Sequence, residues 1–272
     1  MAVDLARRGR PRPYSAEVRR VERRTPHFLR VTLGGGELSR FTWPGPGSHL
    51  KIFLPEAGQD HVVLPPPGPD GLMQIEPGGP RPVTRTFTPR SFDADRAELD
   101  IEFVLHGDGP AAQWAAAAEL GDQIAVSQPR RTYEIAADSE WLVLAGDESA
   151  LPAIGTILDT LEPGLAKEVF IEVAGPDHEL DPGLRSEGVP VRWIHRPAAV
   201  EPGAALAGAL ESWQPPAGVG QVWSAGEATA VRRIRRHLLE TLRLDPDRIL
   251  TRGYWRLGTS NHPDHDYGEG PT

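Results

Sequence analysis

Two arginines flank an aromatic residue and two threonines in the segment RTFTPR, residues 85–90. Alternate side chains of a strand face opposite sides, so Arg85 and Phe87 would share one side. A fixed guanidinium can hold a diphosphate through two hydrogen bonds, and an aromatic ring can stack on a flat ring. The segment therefore indicates either part of a nucleotide-cofactor site or an edge strand with a solvated charged face.

A second segment, GDGPAA at 107–112, follows an apolar strand pattern and precedes an alanine-rich helix pattern. Glycines let a ligand approach the backbone, and the free amides of a helix N-terminus favour a phosphate group. The acidic residue that a dinucleotide fingerprint carries about 20 positions later is missing. The alternatives are a phosphate-binding turn outside a classical dinucleotide fold and an ordinary capped turn.

Two further segments place glycine and polar residues where an apolar run gives way to a helix pattern. They are AGDESALPAI at 145–154 and WSAGEA at 223–228. Two such strand ends form a nucleotide crevice in an α/β sheet, although neither carries the GK[ST] of a P-loop. The alternative is helix capping by Asp147, Ser149 and Glu227.

Composition excludes several other classes of chemistry. The chain has no cysteine, which excludes disulfides, iron–sulfur clusters and thiol nucleophiles, so redox chemistry would require a bound cofactor. No GxSxG or HExxH motif supports a hydrolase. A metal site in the tail has no scaffold to hold it, although the tail offers His262, Asp264, His265 and Asp266.

Charge and hydropathy limit the partners and the location. The formal net charge of −9 argues against a nucleic-acid partner. No stretch approaches 18 apolar residues, and the first thirty residues hold no signal-peptide apolar run, so we expect no membrane insertion and a cytoplasmic location. No obvious apolar patch is visible, which favours a monomer.

The predicted secondary structure that must position these residues differs between the two halves of the chain. Glycine and proline, 29 and 28 of 272 residues, separate short strand patterns in the first half, which predicts an antiparallel β-barrel or sandwich. One helix pattern, 110–120, interrupts these strands. In the second half, short apolar runs alternate with helix patterns, which predicts a parallel sheet buried on both faces. We therefore expect a barrel over 14–137, an α/β domain over 138–258, and flexible arms over 1–13 and 259–272.

Five motifs in order carry a resemblance that spans residues 15 to about 258. They are PVTRTFTPR, FVLHGDGPAAQWA, LAGDESALPAI, WSAGEA and GYWRLG. With them the sequence resembles the siderophore-interacting proteins, which are FAD-dependent ferric-siderophore reductases of the ferredoxin reductase superfamily. The resemblance implies an antiparallel FAD-binding barrel followed by a smaller, doubly wound parallel-sheet domain for NAD(P)H.

The same resemblance implies the site residues. The flavin would be held by Arg85, Thr86, Phe87, Thr88 and Arg90, with Phe87 stacked on the isoalloxazine. The ribityl chain and pyrophosphate would be lined by His106, Gly107, Gly109, Ala111 and Ala112. The nicotinamide nucleotide would be faced by Asp147, Glu148, Ser149, Gly226 and Glu227. The flavin pocket would be closed by Tyr254 and Trp255. The flavin would carry the reaction, so no catalytic side chain is expected.

The family also shows basic residues where this chain has Lys51 and Arg130, and these would attract an anionic ferric siderophore. Three departures from the family pattern stand out: Phe87 replaces a common tyrosine, Ala112 replaces a common serine, and QPRR at 128–131 replaces a GPRG-like turn. None of these removes the basis for flavin binding. The acceptor could instead be another molecule, or the protein could carry siderophores with little turnover.

The choice between NADH and NADPH stays open in the sequence. After the strand pattern EVFIEV, the acidic residues of AGPDHEL could bind a ribose hydroxyl and favour NADH, whereas Arg196 could bind a 2′-phosphate and favour NADPH.

Overall fold

The computed structural model describes residues 10–56, 59, 61–66, 72–73, 82–107, 109–130, 133–162, 164–182 and 189–262. Backbone contacts divide the chain into two compact units. The first comprises residues 1–22, 29–44 and 48–130, and the second comprises residues 23–28, 45–47 and 131–272.

The described part of the first half forms strands and one α-helix. The strands are β1 (Arg10–Pro11), β2 (Tyr14–Thr25), β3 (Phe28–Gly34), β4 (Leu50–Leu54), β5 (Leu72–Met73), β6 (Val83–Phe87), β7 (Pro89–Asp93), β8 (Glu98–Val104) and β9 (Gln123–Val126), and the helix is α1 (Pro110–Ala117). Alternation of buried and exposed residues at the start of β2 is typical of a strand with one face on a core.

Seven of these strands form one sheet in the order β6-β4-β9-β2-β3-β8-β7. The register places β4 antiparallel to both β6 and β9, and β7 antiparallel to β8. The two edge strands, β6 and β7, are consecutive in the chain and are separated only by Thr88. A sheet that curls until consecutive edge strands meet is the expected antiparallel barrel, with large apolar side chains such as Leu33, Ile52 and Phe103 buried inside it.

Two expectations for this unit need correction. The segment 85–90 does not form one strand, since the pairing breaks at Thr88 and the register shifts between Pro89 and Ser91. Proline has no amide hydrogen to donate to the ladder, which explains the break. In addition, Arg10–Pro11 pairs with Leu72–Met73, so the predicted arm over 1–13 includes a strand. Residues 1–9 lie outside the described residues, as do 263–272 of the second predicted arm.

The second unit contains five parallel strands with helices between them. The strands are β10 (Trp141–Asp147), β11 (Ala166–Val173), β12 (Val191–His195), β13 (Gly220–Glu227) and β14 (Ile249–Trp255). The α-helices are α2 (Leu151–Leu158), α3 (Ala204–Glu211) and α4 (Ala228–Arg236). The helix α4 ends at Arg236, and the chain continues as one π-helical turn over His237–Thr241.

The strands lie in the order β12-β11-β10-β13-β14, and all four neighbouring pairs are parallel. This is the doubly wound arrangement that the alternating pattern predicts. Its strand order reverses between β10 and β13, and open α/β sheets bind ligands outside the carboxyl ends of the strands at that point. No helix within the described ranges is long and apolar enough to cross a bilayer.

Candidate functional site

The edge strand β6 brings two predicted site residues together in the first unit. Its antiparallel register with β4 places Lys51 directly opposite Thr86. The Lys51 ammonium nitrogen lies 3.4 Å from Oγ1 of Thr86. A predicted substrate-binding cation therefore stands on the same face of the sheet as a predicted cofactor-binding hydroxyl.

The neighbouring side chains of this segment have different surroundings. The ring of Phe87 is tilted against the ring of Phe103, with 4.6 Å between centroids, so it covers the edge of the barrel core while staying half-buried. Arg85 donates from Nη1 to the carbonyl of Thr84 at 2.9 Å. Thr88 is buried between the two edge strands.

Arg90 is 3% exposed and faces a buried carboxylate. Its Nε lies 3.8 Å from Oε2 of Glu102, and Arg30 donates to Oε1 of Glu102 from Nη2 at 2.7 Å. One buried carboxylate therefore lies between two guanidiniums and holds both in place. Sequence reasoning missed Glu102; its only signal was a charged position between the apolar residues Ile101 and Phe103 of β8.

The turn before α1 has the form that a phosphate-binding turn needs. Gly107 has φ +54°, and Gly109 is the residue immediately before the helix, which begins at Pro110. A Cβ added at either glycine would have no neighbour within 4 Å among the described atoms. His106, Gly107 and Gly109 are exposed, and the first turn, with Ala111 and Ala112, carries no acidic side chain.

This turn and the residues of β6 and β7 therefore fit FAD on structural grounds. Open space stands where a Cβ would lie at Gly107 and Gly109, and the amides of the helix N-terminus are uncapped by any side chain within the described residues. Such amides stabilise phosphate oxygens.

In the second unit, Asp147 ends β10 and is 2% exposed. It accepts four hydrogen bonds: from N and Oγ of Ser149 at 2.9 and 2.5 Å, from N of Glu227 at 3.0 Å, and from Nε1 of Trp255 at 2.8 Å. Burial raises the pKa of Asp147 to about 6; the neighbouring charge of Glu148 adds to the rise, and the hydrogen bonds from Ser149 and Trp255 oppose it.

Gly226, at the end of the adjacent β13, allows this close approach. Its φ is +151°, and a Cβ there would lie 2.6 Å from Oδ2 of Asp147. A side chain at this position would displace the carboxylate that joins the ends of β10, β13 and β14. The glycine therefore determines the shape of the crevice where the strand order reverses.

The capping alternative is confirmed for two of the acidic residues. Asp147 caps the short 3₁₀ turn that follows it, and Glu227 accepts from the amides of Thr229 and Ala230 at 2.6 and 2.9 Å at the start of α4. Oε1 of Glu148 accepts from the amide of Ala174 at 2.8 Å.

Arg196, considered above for a 2′-phosphate, is paired with Glu172, which sequence reasoning also missed. Glu172, near the end of β11, is fully buried and accepts from Nη1 of Arg196 at 2.9 Å. It also accepts from the amides of Gly203 and Leu206 at 2.7 and 2.8 Å. The Arg196 charge is thus matched inside the sheet.

Arg130 and Tyr254 are the remaining predicted site residues. Arg130 is exposed, and its backbone forms hydrogen bonds in both directions with His49, at 2.8 and 3.1 Å. Tyr254 meets the ring of Trp223 edge-on. Of the tail residues with metal-binding groups, Asp264, His265 and Asp266 lie outside the described residues.

The fold and the two nucleotide-binding features define the class. A curled antiparallel sheet with an FAD-binding edge, followed by a doubly wound parallel sheet, is the architecture of ferredoxin-reductase-like flavoproteins. The model for the siderophore-interacting FAD-binding domain matches residues 17–133, and the model for the siderophore-interacting protein matches residues 139–258. The chain belongs to the siderophore-interacting protein family.

Individual relatives agree with this assignment. The chain is 33% identical over 244 residues to ferric vibriobactin reductase ViuB of Vibrio cholerae serotype O1, covering 88% of each chain. It is 34% identical over 241 residues to the NADPH-dependent ferric-chelate reductase of Escherichia coli K12, covering 88% of this chain and 91% of the relative. A siderophore utilization protein from T. fusca has a similar structure, with a TM-score of 0.80 at 32% identity, and the match covers 93% and 96% of the two chains.

Proposed function

We propose that this protein is an NAD(P)H-dependent ferric-siderophore reductase that passes electrons through FAD to the Fe(III) chelate and releases Fe(II). Its relatives include proteins named for ferric vibriobactin and ferric-chelate reduction. The observation that carries the proposal within this chain is the ammonium of Lys51 beside Thr86 on the edge strand of the FAD-binding unit.

The first unit would hold FAD. Arg85, Arg90 and the amides at the start of α1 would bind the phosphates, and Glu102 would keep the Arg90 guanidinium in place. Phe87, Thr86 and Thr88 would contact the ring system. When bound, a flavin accepts a hydride as an electron pair and releases the electrons singly, as the one-electron acceptor Fe(III) requires.

The second unit would hold the nicotinamide nucleotide at the strand ends of β10 and β13. The buried carboxylate of Asp147 holds Ser149, Glu227 and Trp255 in one arrangement and so maintains the crevice. The experiment that tests the reaction also shows whether NADPH or NADH is the electron donor.

The substrate would be an anionic ferric siderophore, in which oxygen donors hold the hard Fe(III) ion. Lys51 and the exposed Arg130 would attract it by charge. Reduction to Fe(II) lowers the charge of the ion and weakens its attachment to these donors, so iron leaves the chelate.

The test is an anaerobic visible spectrum of the FAD-loaded protein. Either NADPH or NADH should bleach the flavin absorbance, and a ferric siderophore should then restore it, while a ferrous trap records Fe(II). Return of the flavin absorbance without Fe(II) above a protein-free control would refute the siderophore as acceptor. A flavin that neither nucleotide bleaches would favour siderophore carriage without turnover.

Three further proposals concern the protein as a whole. We propose a monomer, to be measured by light scattering, and a cytoplasmic location, to be measured by fractionation. We also propose a domain boundary between residues 137 and 138, which separate expression of 14–137 and 138–258 tests directly. Failure of both fragments to fold would contradict this boundary.

A further inference from the structure

Three side chains with metal-binding groups meet in the second unit. His27 lies in the turn between β2 and β3, and Asp177 and His178 lie in a short 3₁₀ turn after β11. One ligand atom from each residue lies within 4.8 Å of the others. We propose that His27, Asp177 and His178 bind a divalent first-row transition-metal ion, such as Zn²⁺.

The donor set matches this class of ion. Two imidazoles and one carboxylate are ligands for zinc and its first-row neighbours, whereas Ca²⁺ and Mg²⁺ prefer oxygen donors. Nε2 of His27 already lies 2.9 Å from Oδ2 of Asp177. Ligand atoms around one such ion stand about 3.0–3.4 Å apart, given metal–ligand distances of about 2.1 Å, so this pair would have to separate only slightly to hold the ion.

The two histidine rings require one adjustment. They are stacked with 3.5 Å between centroids and 7° between planes. A nitrogen lone pair lies in its ring plane, so two parallel rings cannot both direct lone pairs at one ion. One ring must turn, and the His27 side chain, 31% exposed and at a turn, has more room than that of His178, 19% exposed.

The surroundings of His178 favour its role as a ligand. Its Nδ1 is buried and has no hydrogen-bond partner among the described residues, and it lies 3.6 Å from Oε1 of Glu148. Metal-binding histidines commonly direct their second nitrogen at a carboxylate, which orients the ring. Glu148 stands where that second carboxylate would be, and it leaves Nε2 of His178 for the ion.

His195 of β12 provides a matched control. Its Nε2 lies 2.7 Å from Oε1 of Glu179, so this histidine is paired outside the cluster.

The experiment is calorimetric titration of Zn²⁺ into the full-length, FAD-loaded protein in a buffer that does not chelate metals. The background variant H262A/H265A removes the histidines of the tail. In this background we expect one equivalent of Zn²⁺ to bind. We expect H27Q and H178Q each to weaken binding by at least about tenfold, and H195Q to leave it unchanged.

A further variant, D177N, separates loss of metal binding from loss of folding. Asp177 is exposed, so this substitution should leave the fold intact. It should weaken Zn²⁺ binding while leaving the circular dichroism spectrum unchanged. Absence of stoichiometric binding in the background variant would overturn the proposal, and so would equal binding by the background, H27Q and H178Q proteins. The result is independent of reductase activity, since no electron donor or acceptor is present.

Discussion

Asp147 offers the sharpest quantitative test of the second unit. Its carboxylate joins the ends of three strands, and burial raises its pKa from the ordinary 3.8 to about 6. Between these two pH values the folded protein keeps a proton that the unfolded chain has lost. The stabilising contribution is therefore complete below about pH 3.8 and is lost as the pH rises through about 6.

The magnitude follows from the size of the shift. A difference of about two pKa units corresponds to about 3 kcal/mol over the whole range, at about 1.4 kcal/mol per unit. Between pH 5 and pH 7 about 1 kcal/mol of this is lost. The variant D147N cannot titrate, so its stability should lack this component.

The assay is urea denaturation of the wild-type protein and D147N at pH 5, 6 and 7. Asparagine alters the hydrogen bonds from Ser149 and Glu227, but that cost does not depend on pH and cancels when values at different pH are compared. The unfolding free energy of wild type minus that of D147N should fall by about 1 kcal/mol from pH 5 to pH 7.

D138N is the matched control, since a hydrogen bond from Arg248 lowers the pKa of the exposed Asp138. The pKa of Asp138 does not exceed 3.8 in either the folded or the unfolded protein, so its carboxyl stays ionised, and the difference between wild type and D138N should be constant from pH 5 to pH 7. A difference for D147N that is flat or rises from pH 5 to pH 7 would show that the buried carboxylate titrates normally, and our argument from burial would then be wrong.

Three other variants test the proposed FAD site, the buried carboxylate of Asp147 and the proposed substrate-binding lysine. E102Q removes the buried charge that holds Arg90; we expect a loss of about 3 kcal/mol in stability and weaker FAD binding, measured by denaturation and by flavin fluorescence, and unchanged FAD affinity would refute the positioning role. W255F removes a hydrogen bond that lowers the pKa of Asp147, so this pKa should rise. The pH dependence of the unfolding free energy should therefore shift to higher pH, and a shift to lower pH would contradict this. K51A should lower kcat/KM for an anionic ferric siderophore by about tenfold at low salt and less at high salt, and equal effects at both salt concentrations would exclude steering by charge.

The local sequence was sufficient for the elements and for most of the fold. Alternation and turn residues predicted the antiparallel strands, and apolar runs alternating with helix patterns predicted the parallel sheet, because side-chain periodicity follows directly from backbone geometry. A turn at GDGPAA followed by a helix was equally visible, since glycine and proline act on their own backbone. Motif order, more than any single motif, indicated the family.

Tertiary structure decided which residues meet. The sequence could not show that Glu102 lies against Arg90, that Gly226 makes room for Asp147, or that His27 reaches a residue 150 positions away, Asp177. Nor could it show that Arg196 is paired with Glu172. These contacts depend on strand register and on the order of strands in the sheets. Both are set by packing between distant segments, so local residue patterns carry little information about them.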